Sequence, residues 1–459
     1  MQKEENYTGE RKMIEENKNK NEKKAMSYQE TMEYVDRLQV YGSVPGLTNI
    51  RNLCEKLGDP QKDLKFVHIA GTNGKGSVLC LVSEVLKEAG YVTGRYVSPT
   101  IFDYRERIQI NGRMITKKDL CTYMTKLKEI CAQLTAEGKP HPTPFEIETA
   151  LAFLYFKEKN CDIVVLETGM GGKLDATNII ENTLVSVFVS ISLDHMKFLG
   201  NTLTEIAEVK SGIIKNDCTV VTVRQVPEVM EVLENKCRER GATLLVAEPE
   251  KTTGIRSGAG KQKFTYGSRK DITISLMGRY QIDNAVTALE TLDSLSEKGF
   301  AVSERALYRG FLKAVWPGRF ELLSKKPVFI ADGAHNRDGA KRLADSVRFY
   351  FTNRRIIYIM GILRDKEQEE IIRETCPLAE QILTVPTSGN RGLSSYELAC
   401  EVKKFHPSVT ALDSVEEAVE LSFLMADKDT VIIAFGSLSY LGKLITAVRN
   451  RDKRKEIKI

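Results

Sequence analysis

What this chain lacks narrows its function early. No apolar run approaches the roughly 20 residues that a bilayer-spanning helix needs, which excludes a helical membrane protein. The N-terminus has no apolar signal core, so a secreted product is not expected. The nine cysteines, at positions 54, 80, 121, 131, 161, 218, 237, 376 and 400, contain no CxxC pair and are odd in number. They read as buried thiols of a reducing cytoplasm, not as a disulfide framework or a zinc site. Excess charge is missing from the body as well. The formal +5 resides in the ends, +4 in residues 449–459 and +1 in residues 1–25. No basic face is implied, and nucleic acid is not an expected partner.

What is present is ordinary globular composition, 42% hydrophobic and 28% charged, over 459 residues. That length suits two domains. Residues 1–25 carry almost no apolar pattern and read as a disordered tail, with patterning beginning near Met26. Strands and helices then alternate. Leu64–Ala70, Cys161–Glu167 and Leu184–Ile191 read as buried strands. Ser77–Ala89, Phe145–Lys159, Leu203–Lys215 and Gln281–Lys298 read as helices, and the Gly-, Ser- and Lys-rich stretch Lys251–Gln262 as an exposed loop. Trp316-Pro317-Gly318-Arg319 reads as a hinge, after which strands recur near 327–331, 356–361, 381–385 and 430–434. The expected fold class is α/β, with a mainly parallel sheet in each of two domains. The divisions expected are 26–316, a smaller unit 317–448, and a basic tail 449–459.

The strongest local signal is Gly71-Thr72-Asn73-Gly74-Lys75-Gly76-Ser77 between a buried strand and a helix. Glycines let backbone N–H groups curl round a phosphate, the helix N-terminus adds its positive end, and Lys75 supplies a cation. The spacing departs from G-x-x-x-x-G-K-[ST], because Ile69 and Gly76 stand where that pattern has other residues. A glycine-rich turn without a ligand is the bland alternative. Thr116-Lys117-Lys118-Asp119 resembles a guanine-reading motif but reads better as a helix start, with Thr116 as N-cap.

A second constellation follows. The strand ending in Glu167 brings a carboxylate to the sheet edge, where phosphate-loop enzymes hold Mg²⁺. A strand-end cap is the alternative. The loop Thr168–Asn178 belongs at the same edge, and Leu193-Asp194-His195 ends the next strand there. For His195, metal ligation or catalysis and a structural role stay open. In isolation, Lys210 reads as a surface lysine.

Taken together, these motifs resemble the folylpolyglutamate synthase and dihydrofolate synthase family of the Mur-ligase superfamily. The resemblance runs from Met26 to about Val448. Its carriers include the loop at 71–77, Ser98-Pro99, Arg105–Ile108, Thr143–Glu146, Glu167–Asn178, Leu193–His195, Lys210–Ile213, Asn284-Ala285, Pro317–Glu321, Asp332–Asn336 and Gly436–Leu438. Thr100 departs from the family's commoner His, and Ser439–Lys443 from its commoner ending.

The resemblance implies a P-loop ATPase domain followed by a smaller Rossmann-like domain. It implies ATP contacts from Asn73, Gly74, Lys75, Gly76, Ser77, Asn284, Arg319 and Asp332. Ser98, Glu167, His195 and Lys210 would hold Mg²⁺ at two sites, with Lys210 carbamylated. Lys75, His195 and Lys210 would carry catalysis. Thr143, Pro144, Phe145, Glu146, Leu174, Asp175 and Ala176 would bind the folate or pteroate, and His335 lies in a second-domain motif that serves either the site or a turn. The implied activity is ATP-dependent addition of L-glutamate to a folate γ-carboxylate through an acyl phosphate, with dihydropteroate as a possible second acceptor. A cytoplasmic monomer with small-molecule partners is expected. The rivals are another Mur-type amino-acid ligase and an ATP-binding regulator without catalysis. Residues 26–70 are too few for the nucleotide-sugar-binding domain that cell-wall Mur ligases carry ahead of the loop.

Overall fold

The computed structural model describes residues 25–42, 44–258, 260–387, 389 and 391–456. The expected tail at 1–25 lies outside them, apart from Ala25. Among the described residues the strands form three sheets.

The first sheet contains β1 (Phe66–Ala70), β2 (Thr93–Tyr96), β3 (Ile108–Ile110), β4 (Arg113–Met114), β5 (Ile163–Glu167), β6 (Thr183–Phe188), β7 (Thr219–Val223) and β8 (Thr243–Ala247). Its order is β4-β3-β2-β5-β1-β6-β7-β8. Strands β2 to β8 pair in parallel along that order, and β3 and β4 add an antiparallel edge. Every residue of β1 and β5 is buried, as expected for central parallel strands covered on both faces. Helices Lys117–Ala136 and Pro144–Glu158 pack on one face. Helices Lys75–Glu88 and Gln281–Glu297 pack on the other.

The stretch expected as a loop at Lys251–Gln262 is instead sheet. β9 (Thr253–Gly258), β10 (Lys261–Tyr266) and β11 (Arg269–Ile274) form an antiparallel three-stranded sheet. The exposure was legible, since all of β9 faces solvent. The strand was not, because its order comes from pairing with β10, whose Phe264 is anchored in the core.

The third sheet contains β12 (Glu321–Lys325), β13 (Val328–Ala331), β14 (Arg355–Met360), β15 (Gln381–Thr384), β16 (Val409–Ala411) and β17 (Thr430–Phe435), in the order β12-β13-β17-β14-β15-β16. All pairs but the first are parallel. The last helix, Leu438–Glu456, runs on through most of the expected basic tail. No helix among the described residues is long and apolar enough to cross a membrane. Eight cysteines are buried, and Cys400 departs from the expectation by being exposed.

Candidate active site

The carboxyl edges of the two parallel sheets face each other across a cavity of about 660 Å³. Parallel strands place their loops at that edge, which is where such sheets bind ligands. The cavity wall gathers every residue singled out above for catalysis, nucleotide, metal or folate, with one exception. Pro144 is absent from it. It opens the helix Pro144–Glu158 behind its N-cap Thr143, whose hydroxyl and Glu146 cap each other reciprocally.

The phosphate loop is held from the loop that follows the neighbouring strand β6. Thr72 N–H donates to Ser190 O at 2.7 Å, the Thr72 hydroxyl to Ser192 O at 3.0 Å, and the Ser190 hydroxyl to Asn73 O at 3.1 Å. Gly74 has φ +107°, and a Cβ there would lie 2.5 Å from Asn284 Oδ1. Only glycine meets both conditions. The Lys75 ammonium lies over its own loop, 3.3 Å from the carbonyls of Gly71 and Thr72, and 3.8 Å from Glu167.

Glu167 is buried at the end of β5. Burial raises its pKa despite Lys75 and Arg319 nearby, and the Ser98 backbone N–H donates to it. Burial also raises Asp175, which accepts from the Thr177 hydroxyl and the Met170 N–H. Lys210 is not the surface lysine its isolated sequence suggests. It is 5% exposed, and its Nζ donates to Gly71 O at 3.0 Å. Burial, then the charge of Lys75, lower its pKa to about 7. Its helix ends at Ser211, four residues before the expected Lys215, with Gly212 as C-cap. Gly212 is packed against the Lys173 backbone, so a side chain there would collide.

Several contributors were not singled out. Tyr280 donates to Asp332 Oδ2 at 2.7 Å, and the same carboxylate accepts from the N–H groups of Phe320 and Ala334. Asn73 Nδ2 donates to Asn336 Oδ1 at 3.1 Å and Asp338 Oδ2 at 2.9 Å. Arg107 lines the cavity and pairs with buried Glu148 at 3.1 Å. The His335 Nδ1 engages Gly333 O at 2.8 Å within a turn, and the residue also lines the cavity. Burial, then Lys366, lower its pKa to about 4, so the ring is neutral near pH 7.

A hard cation such as Mg²⁺ wants oxygen donors and is commonly held by one or two carboxylates plus substrate phosphates. Among the described residues no three His, Cys, Asp or Glu side chains form a ready metal cluster. The buried Glu167 carboxylate beside the phosphate loop nevertheless fits such an ion, provided phosphate oxygens complete the shell.

Residues 69–292 match the Mur ligase middle domain, and residues 318–438 match the Mur ligase glutamate ligase domain. The dihydrofolate synthase/folylpolyglutamate synthase of Bacillus subtilis is 36% identical over 366 residues, 78% of this chain and 84% of that protein. The folylpolyglutamate synthase of Lacticaseibacillus casei is 32% identical over 430 residues, 92% of this chain and 98% of that protein. The chain belongs to the folylpolyglutamate synthase and dihydrofolate synthase family. As a family member it also shares its fold with the Mycobacterium tuberculosis folylpolyglutamate synthase complexed with ADP. The TM-score is 0.85 at 30% identity, covering 92% of this chain and 99% of that one.

Proposed function

We propose that this protein is an ATP-dependent ligase that joins L-glutamate to the γ-carboxylate of a reduced folate, with dihydropteroate as a second acceptor. The observation that carries this reading is the shared cavity. It unites the phosphate loop, the buried carboxylate Glu167 and the Thr143–Glu146 and Leu174–Ala176 wall, and it is closed by the second sheet's loops. We assign residues 26–316 to the ATP-binding domain and 317–448 to the glutamate ligase domain.

A carboxylate does not condense with an amine near neutral pH. In the proposed reaction the acceptor carboxylate attacks the γ-phosphorus of ATP, giving ADP and an acyl phosphate. The glutamate amine then attacks the acyl carbon and expels phosphate, leaving an amide. Lys75 and Arg319 are placed to offset charge on the transferring phosphoryl group. Asn284 and Asp332 hold the nucleotide from the two domains. Mg²⁺, bound by Ser98, Glu167, His195 and Lys210 with phosphate oxygens, would supply charge neutralisation at the phosphates. Lys210 would do so as a carbamate, formed when its neutral amine adds CO₂ and releases a proton. Support for that step is its burial beside the loop and the lowered pKa, which makes neutral amine available near pH 7.

Parallel assays with dihydropteroate and tetrahydrofolate, each with ATP and labelled glutamate, test the proposal. Glutamate incorporation matched by ADP release is expected. Nucleotide binding without ADP release would favour the regulator.

A further inference from the structure

The two halves of the cavity are joined by an ion pair that the ligase chemistry does not itself require. Asp194 lies on the loop after β6, immediately before His195. Lys366 lies on the loop after β14 of the other sheet. The Lys366 Nζ donates to Asp194 Oδ1 at 2.9 Å, and Asn336 Nδ2, also from the second half, donates to Asp194 Oδ2 at 2.9 Å. Both oxygens of one carboxylate are thus held from across the cleft. The same Oδ1 accepts the His195 backbone N–H at 2.8 Å, where His195 sits at φ +51°. Exposed ion pairs contribute little, but these side chains are only 10% and 12% exposed, so solvent screens the pair weakly.

We propose that Lys366 is a positioning residue that latches the second domain onto Asp194, fixing His195 and shutting the cleft while the acyl phosphate exists. The inference rests on the ligase reading above. Through Asn336, which also contacts Asn73, the latch ties the same closure to the phosphate loop. If it fails, water reaches the acyl phosphate, which then breaks down to acceptor acid and inorganic phosphate. ATP is spent with no amide formed.

The test compares wild type, Lys366→Met and Lys366→Arg, the last preserving the charge. Lys366→Met is expected to lower kcat on the order of 10- to 100-fold, the range for displaced positioning groups. It should also raise ADP released per glutamate incorporated well above the wild-type ratio, with Lys366→Arg recovering part of both. Small-angle scattering at saturating AMPPCP should show a larger radius of gyration for Lys366→Met than for wild type. Wild-type kcat and ratio in Lys366→Met would overturn the latch. So would a selective rise in the glutamate KM at unchanged kcat, which would make Lys366 a substrate-carboxylate contact. If Lys366→Met does not fold, a Lys366→Gln protein with wild-type melting temperature decides the matter. A raised ratio of ADP to incorporated glutamate supports the latch, and the wild-type ratio overturns it. An inactive wild type would count against the ligase reading alone, because the scattering comparison needs no turnover.

Discussion

The indole of Trp316 occupies the space where a side chain at Gly76 would stand, with Nε1 2.6 Å and Cε2 2.8 Å from an ideal Cβ there. Trp316, in the segment between the two matched Mur ligase domains, therefore packs directly on the phosphate loop. Gly76→Ala is expected to push the loop and Trp316 apart and to lower kcat/KM for ATP by about tenfold or more. Trp316→Leu in the same chain should relieve the clash and restore part of it. Trp316 is the only tryptophan, so its fluorescence reports the displacement directly. Wild-type kinetics and emission in Gly76→Ala would show that the contact is slack.

Lys75→Ala is expected to reduce kcat by on the order of 10² to 10³. The ammonium contacts its own loop carbonyls and Glu167, so the melting temperature should move little. Near-normal ligase turnover would remove Lys75 from the phosphate site.

Lys210→Ala should be similarly inactive, because it removes the group that would carry the carbamate. A short-chain carboxylic acid such as acetate, supplied in solution, should restore part of the turnover by standing in for the missing carboxylate. An ordinary surface lysine changes stability by only about 0.5 kcal/mol when lost. Wild-type turnover in Lys210→Ala would dismiss the carbamate role.

The acid stability of the fold should depend on His68. It is fully buried on β1, and its Nε2 lies 2.8 Å from the Thr177 hydroxyl, which itself donates to Asp175 at 2.6 Å. Burial, reinforced by Lys215, lowers its pKa from 6.5 to about 3. The unfolded chain therefore binds more protons than the native one between those values, and stability falls as pH drops through that window. His68→Gln keeps a donor toward Thr177 and cannot titrate. Relative to wild type it should gain on the order of 4 kcal/mol between pH 6.5 and 3, measured by denaturant unfolding. A difference that stays constant with pH would refute this.

The sequence by itself determined the local chemistry. Continuous, short, β-branched apolar runs such as Ile163–Leu166 read as strands covered on both sides, and the run Gly71–Ser77 reads as a tight, amide-rich turn into a helix. The cap read at Thr116 was equally local, because donor and acceptor lie three residues apart. Tertiary structure decided what depends on distance along the chain. Lys210 looks like a solvent lysine until β1 and the phosphate loop cover it, 139 residues away. Thr253–Gly258 becomes a strand only because β10 supplies its hydrogen bonds. Lys366, in the charged run Arg364-Asp365-Lys366-Glu367, gives no local sign of burial. Its environment is made by Asp194, 172 residues earlier and on a loop of the other sheet. Desolvation and pairing are properties of the neighbours a residue meets in space, and a linear pattern records only those within a few positions of it.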